Sequence, residues 1–433
     1  MLVNFTFKNF RSFRDEKTLS MEASAIKELS KSVIRKGAYK LLPAAVLYGA
    51  NSSGKSNALF ALAKMRSIVL DSVKLNPQDT LRFDPFMLDR ESAQKPTSFE
   101  IQFLKDGVKY RYGFEYDKTR IISEWLYEKQ EKEREFNLFL RAGSEFEISK
   151  KRFPEGDSKA DATPGNRLFV SLCAQLNGKK SSSILDWFQH CNLISVVEKQ
   201  GYEGFTLKML KENPEGCNEA KDFFRRTQLG FKDLIVTEQP LSNDVLKEVP
   251  DELKEFILKE FDGRSVLEIK TSHWVYDQDG NQVEEKIFAK DEMESEGTKK
   301  VIELSGPLFD TLKEGSVLLI DELDAKLHPL LTRSILKLFM SPETNPNGAQ
   351  LIFNTHDTNL LKGDYLRRDQ IWFTEKDRTE SSDLYSLIEF RDAEGVKVRK
   401  DRSFQNDYIN GRYGAIPFIF SSVEPWDNHQ KEK

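Results

Sequence analysis

The chain has 433 residues, 39% hydrophobic and 31% charged, with a formal net charge of −5. That balance excludes an intrinsically disordered chain and suits two or three lobes of about 100–200 residues each. No run approaches the ~18 apolar residues of a membrane span, and the acidic balance gives no bulk signal of nucleic-acid binding, though it leaves room for a local basic surface.

The opening MLVNFTFKNFRSF alternates and lacks an apolar h-region, so no signal peptide is expected, and Leu2–Phe7 reads as a strand. Leu42–Tyr48 is a short apolar run ending at Gly49, a buried strand entering a turn. Asn57–Leu70 carries Leu59, Leu62, Ala63, Met65 and Val69 at helical spacing. Phe99–Leu104 and Lys109–Tyr116 alternate on either side of the turn Asp106-Gly107, and Ile121–Tyr127 reads as a further strand. An antiparallel sheet is thus expected over about 80–145. Lys150–Asn166 is rich in Lys, Asp, Pro and Gly and reads as a loop or linker.

The pattern from 167 to 260 is mostly helical, without a sustained heptad, so a compact helical lobe is expected and no long coiled coil. Within it Asp251–Phe261 sets Leu253, Phe256, Ile257 and Phe261 on one face, the pattern of a core helix. Leu267–Val275 and Lys286–Phe288 return to strands around Asp279-Gly280-Asn281. Gly297–Leu312 is helical, and the apolar strands Val317–Ile320, Gln350–Asn354 and Gln370–Phe373 alternate with helices. That alternation predicts an α/β fold with a mainly parallel sheet covered by helices. The expected organisation is an N-terminal part at 1–150, an inserted helical lobe at 151–265 and a C-terminal part of the same head at 266–433. There is no internal repeat. Cys173, Cys191 and Cys217 form no CxxC pair, which fits a reducing cytoplasm with cysteines as packing residues.

Residues Gly49, Ala50, Asn51, Ser52, Ser53, Gly54, Lys55 and Ser56 complete the pattern G-x-x-x-x-G-K-[ST] between a strand and a helix. Phosphate oxygens need several donors converging on one point. A glycine-rich turn can face successive backbone N–H groups inward, and the following helix, entered at Ser56 and Asn57, aims its free N–H groups at the same place. Lys55 supplies a mobile charge for the β- and γ-phosphates and Ser56 a hydroxyl for Mg²⁺. ATP and Mg²⁺ are the implied ligands.

Val317–Ile320 is an apolar strand ending in Asp321 and Glu322. A buried strand avoids charge at its end unless something is bound there. Asp321 would hold the Mg²⁺ shell and Glu322 would act as general base on the attacking water. Gln350–Asn354 ends in Thr355-His356-Asp357, which places His356 at a strand's carboxyl end, where its imidazole can donate to the γ-phosphate or the water.

This set resembles the ABC-type ATPases of the SMC, RecF and overcoming-lysogenization-defect group. The order fits: phosphate loop, long insertion, signature, acidic strand, switch histidine. The resemblance implies an ABC-type P-loop head whose signature is Ser295-Glu296-Gly297-Thr298, a degenerate form of LSGGQ, with Asp324 at the D-loop position inside DELDAKLHP. The closest branch is the RloA/AbiL-like ATPases of prokaryotic anti-phage and restriction-linked loci. It is indicated by Asn9–Phe13, FEIQF at 99–103, IWFTEKD at 371–377 and GRYGAIP at 411–417. The likeness weakens over 150–290, and the Q-loop glutamine is not placed, Gln78 and Gln102 being candidates by order alone. The resemblance implies a head-to-head dimer in which Ser295 and Gly297 complete the partner's nucleotide site. It also implies a neighbouring effector, a TOPRIM-type or RloB-like nuclease.

Three functions compete on this reading: an ATPase sensor controlling an effector in anti-phage defence, a RecF/SMC-like DNA-repair ATPase acting directly on DNA, and a transporter's nucleotide-binding subunit. The large insertion disfavours the last and the acidic charge counts against the second. Glu128–Arg134 reads as a solvated charge run. Lys150-Lys151-Arg152 and Lys179-Lys180 read as ordinary surface, with nucleic-acid contact as the alternative, and Arg367-Arg368 as a candidate partner-facing pair. Tyr408–Phe420 is either a tail packed on the core or a docking element.

Overall fold

The computed structural model describes residues 1–195, 202–212, 218–227, 229–241, 250–260, 265–362, 365–392 and 394–416. Cys217, Phe261 and residues 417–420 of the expected elements lie outside these. The fold is α/β, and the chain divides into two compact units. One, the P-loop unit, comprises Leu2–Ser30, Arg35–Leu185 and Thr358–Lys433; the other, the acidic-strand unit, comprises Met1, Lys31–Ile34 and Asp186–Asp357.

The P-loop unit holds the expected antiparallel sheet. Its order is Glu145–Ile148, Phe136–Ala142, Ile121–Gln130, Val108–Tyr116, Thr97–Lys105, Leu2–Lys8 and Lys17–Ser20. Period-two alternation explains it: Thr97, Phe99, Ile101 and Phe103 are buried while Ser98, Glu100 and Gln102 are not. Asp106 and Gly107 turn the hairpin with φ of 51° and 77°, a left-handed pair matched to the strand twist. The core is aromatic, with Phe99 in ring contact with Phe5, Phe10, Phe114 and Tyr116.

In the same unit Ala44–Gly49 is buried throughout and runs parallel to Ile371–Lys376, which pairs antiparallel with Ser382–Ser386. Tyr408 and Tyr413 stack on Phe373 at 5.4 and 5.6 Å, and the Ala415 N–H donates to Glu375 Oε2. The described part of the tail is therefore packed on the core. Arg367 is also interior: it pairs with Asp369 at 2.7 Å and donates to the carbonyls of Ser24 and Glu28, while Arg368 pairs with Glu28. These arginines hold the 24–28 segment. Most of the charge run is solvated as expected, residues 130–134 being exposed, but Glu128 at its start is 4% exposed and accepts from the part-exposed Arg152 and Lys180, one residue of each basic cluster.

The acidic-strand unit contains three parallel strands in the order Cys191–Ile194, Val317–Ile320, Gln350–Asn354. A separate antiparallel sheet joins Asp233–Pro240, Ser265–Tyr276 and Gln282–Ala289. Strands at 191–194 and 233–240 interrupt the region expected to be helical; the second is rich in β-branched residues (Ile235, Val236, Thr237) and finds an eight-residue register against Ser265–Ser272. Helix Asp251–Glu260 leaves Leu253 and Phe256 51% and 59% exposed, so its apolar stripe is not core.

Helix Tyr202–Glu212 packs closely on helix Glu296–Glu314. Pro307 lies inside the latter and has no N–H for the carbonyl of Glu303. The Thr206 hydroxyl supplies that bond at 2.7 Å and accepts the Gly306 N–H at 3.2 Å. A Cβ on Gly306 would stand 2.4 Å from Thr206 Oγ1, so glycine is what permits the approach.

Candidate functional site

The phosphate loop leaves the buried strand at Gly49. A Cβ there would lie 2.4 Å from the carbonyl oxygen of Thr374 and 2.5 Å from Ser53 Oγ, and Ser53 Oγ bonds Thr374 Oγ1 at 2.6 Å. Gly54 opens the helix Lys55–Asp71 at φ 114°, where a Cβ would meet Ser382 Oγ at 2.5 Å. Both glycines are therefore demanded by close approach, and Gly54 also by its dihedral. The helix has no side-chain cap and no acid in its first turn, leaving its N-terminal dipole available to an anion. Lys55 is 6% exposed and folded over the loop, donating to the carbonyls of Gly49 and Ala50 at 2.8 and 2.9 Å. Ala50, Asn51 and Ser52 form the open side, with Ser52 at φ 63°.

Residues that the loop motif does not contain support it. Ser12 Oγ accepts from Asn57 Nδ2 at 2.9 Å and from Ser382 Oγ at 2.8 Å, and Arg11 donates to Asn57 Oδ1 at 3.3 Å with its guanidinium 4.9 Å from the Phe60 ring. The sequence signal was the Asn9–Phe13 stretch, noticed only as family likeness.

In the acidic-strand unit Asp321 is 5% exposed. Its N–H donates to the Ile194 carbonyl at 2.8 Å, and its Oδ1 accepts from Asn354 Nδ2 at 2.5 Å. Asn354 Oδ1 accepts the N–H of Glu322, and the Asn354 carbonyl that of Leu323. One fully buried amide thus fixes both acids. Glu322 sits at φ 54°, a left-handed conformation unfavourable for a residue with a Cβ. Asp324 Oδ2 accepts the His356 N–H at 3.2 Å, while Asp324 Oδ1 is buried without a partner. The His356 side chain is exposed. His328, in contrast, caps helix Pro329–Met340 through its Nδ1, accepting from Leu330 N–H.

The signature segment lies in this unit too. Ser295 caps its own helix, its Oγ accepting the Thr298 N–H at 3.2 Å. A Cβ on Gly297 would lie 2.8 Å from the Lys326 carbonyl oxygen. Glu296 pairs with Lys326 at 2.7 Å, which together with Lys299 holds its carboxyl below the ordinary range. Ser295 and Gly297 therefore have packing roles within the chain.

Gln102 lies inside the antiparallel strand Thr97–Lys105, and Gln78 is exposed in a turn. Neither stands at the end of a parallel strand. The strand beside Val317–Ile320 ends at Ile194, and Ser195 follows it.

Ser56 and Asp321 offer hard oxygen donors of the kind Mg²⁺ takes. Asp321 Oδ2 accepts no protein hydrogen bond among the described residues. Sequence reasoning identified both acids. It missed Asn354 and also Lys300, whose ammonium meets the carbonyls that follow Glu322.

No match is found among curated proteins. Among solved structures, the SMC head domain from Thermotoga maritima aligns over 89% of this chain and 98% of its own at 11% identity, with a TM-score of 0.41. The recombination mediator protein RecF with ATP, of the RecFOR pathway, aligns over 89% and 97% at 14% identity, with a TM-score of 0.32. The AAA_21 family, described as "AAA domain, putative AbiEii toxin, Type IV TA system", matches residues 44–362, well over half of the sequence. The chain belongs to that AAA domain family.

Proposed function

We propose that this protein binds ATP with Mg²⁺ and hydrolyses it, that ATP closes a head-to-head dimer, and that the cycle controls an effector, a nuclease of TOPRIM or RloB-like type, in cytoplasmic anti-phage defence. The observation that carries hydrolysis, rather than binding alone, is the clamp of Asn354 on both Asp321 and Glu322. It fixes a carboxylate suited to a metal shell beside one suited to deprotonate water.

The phosphate loop binds and orients the β- and γ-phosphates through its backbone donors and Lys55. Bound Mg²⁺ would neutralise developing charge on the transferred phosphoryl group, held by Ser56 and Asp321. Glu322 takes the proton of the attacking water, and His356 donates toward the γ-phosphate. Ser295, Gly297 and Asp324 are the residues proposed to face the nucleotide of the second copy. The family's toxin–antitoxin description supports a defence role and the pairing with another gene product.

Lys55→Ala is expected to lose nucleotide affinity, and Glu322→Gln to bind ATP, hardly turn it over and accumulate as a dimer. Unchanged affinity in the first, or normal turnover in the second, removes the corresponding role. A stable effector should copurify; full defence from this chain alone, with no stable partner, sinks the regulatory half.

A second reading, direct action on DNA as in RecF- or SMC-like repair, is favoured by one concave, mostly basic surface of the P-loop unit, lined by Arg368, Lys397, Val398, Arg399, Lys400 and Asp401. It predicts ATP turnover stimulated by DNA and weakened by salt. A rate flat across added DNAs removes it.

A further inference from the structure

Four residues after Glu296, the helix Glu296–Glu314 carries Lys300, whose ammonium donates to three backbone carbonyls of the acidic turn: Glu322 at 3.0 Å, Leu323 at 3.4 Å and Ala325 at 2.7 Å. Carbonyl oxygens gathered at one point repel one another, and a cation placed there offsets that repulsion. Two residues of the bend, Glu322 and Lys326, hold φ of 54° and 64°. Left-handed residues other than glycine persist when the surroundings impose them. Here the imposing group is a cation placed where the three oxygens meet.

We propose that Lys300 is a positioning residue for hydrolysis: by gathering the carbonyls of residues 322, 323 and 325 it holds the turn that aims the Glu322 carboxylate. This rests on the reading of Glu322 as general base. Its role in this proposal is exerted through the backbone of the turn.

The alternatives for this side chain are narrower. A surface lysine seeking an acid would pair with Asp324 or Glu303, yet among the described residues no ion pair joins Lys300 to a carboxylate. A lysine serving only to cover apolar surface would keep its head in water, whereas burial here depresses the ammonium's pKa, a cost that the nearby Asp324 and Glu322 partly offset. The neighbouring lysines differ: Lys299 and Lys326 both engage Glu296. Asn354 fixes the Glu322 N–H and Lys300 its carbonyl, so the two sides of that residue's backbone are held by different elements.

The test compares wild type, Lys300→Met, Lys300→Gln and Lys300→Arg in the full chain. ATP turnover, affinity for a fluorescent ATP analogue and hydrogen exchange of the peptide covering 317–327 are measured together. Met and Gln are expected to lower kcat by about 10- to 100-fold, the scale of a displaced catalytic group, with analogue affinity within about threefold and faster exchange confined to the turn. Arg, which retains a cationic donor, is expected to recover most of the turnover. If Met does not fold, Gln against Arg carries the comparison. Turnover of the folded Gln variant within about twofold of wild type overturns the proposal, as does affinity falling in step with kcat. A wild-type protein that binds ATP without hydrolysing it instead overturns the base assignment, and the positioning role with it. The wild-type measurement therefore separates the two failures.

Discussion

Replacing Asn354 with leucine tests the acidic site at its centre. The side chain is fully buried and has the branched shape of leucine, which is larger, so the variant loses the polar contacts and adds some crowding. It makes two bonds that matter here: Nδ2 to Asp321 Oδ1 at 2.5 Å, and Oδ1 to the Glu322 N–H. A bond to a charged group contributes about 1.5–3 kcal/mol and a neutral one about 1 kcal/mol. Their sum, about 2.5 kcal/mol at the lower end, corresponds to roughly 70-fold in rate if all of it is expressed in the transition state. Turnover of Asn354→Leu should therefore fall by about that factor in a single-turnover assay, while affinity for a fluorescent ATP analogue stays within about threefold, because the phosphate donors are elsewhere. The defect should also vanish in the Glu322→Gln background, where the base is already gone, since groups acting as one unit are not additive. A folded Asn354→Leu protein turning over within about threefold of wild type would refute the claim that this amide sets the site.

Thr206→Val removes the hydroxyl that serves the Glu303 carbonyl and the Gly306 N–H, and denaturant melts should show a loss of about 1–3 kcal/mol. Pro307→Ala returns an N–H to Glu303, so a double-mutant cycle should show the threonine contributing less in that background. Gly297→Ala sets a Cβ against the rigid carbonyl of Lys326 and should cost about 1–3 kcal/mol of stability; Gly204→Ala, in a helix with open space around its Cβ, should raise stability by about 0.5–1 kcal/mol. Burial pushes the Cys173 thiol up to about 12, so at neutral pH mass spectrometry should find it unalkylated in the native protein and labelled in denaturant.

Much of the architecture was readable because its causes are local. A period of two over Thr97–Lys105 and a glycine turn at 106–107 place a hairpin without reference to the rest of the chain. The same holds for the run Ala44–Gly49, whose continuous burial shows as continuous hydrophobicity. Asp233–Pro240 was not readable, because its paired residues lie 25 to 39 positions further on and the intervening composition is helical. Glu128 was misjudged for a related reason. Its neighbours in sequence are charged and exposed, but the residues that neutralise it, Arg152 and Lys180, arrive from distant segments. Charge composition over a short window cannot report burial that tertiary structure creates.

The candidate site divides along the same line. Lys55, Asp321 and Glu322 announce themselves by residue type and spacing, since phosphate and metal chemistry constrain those positions directly. What holds them does not. Asn354 and Lys300 come from a strand end and a helix, 32 and 22 residues from Glu322, and either would pass in sequence for an unremarkable polar residue. The signature shows the opposite problem, a residue pattern with two possible causes. Ser295 and Gly297 drew notice as ligand donors, yet capping and close packing against Lys326 require the same two residue types. A motif of serine and glycine at a helix start is thus ambiguous by construction. Only a perturbation that separates the two demands can resolve it: Ser295→Asp keeps an N-cap acceptor and adds a negative charge. If Ser295 only caps, stability and turnover should both survive. If it also faces a γ-phosphate, turnover and dimerisation should fall while thermal stability holds.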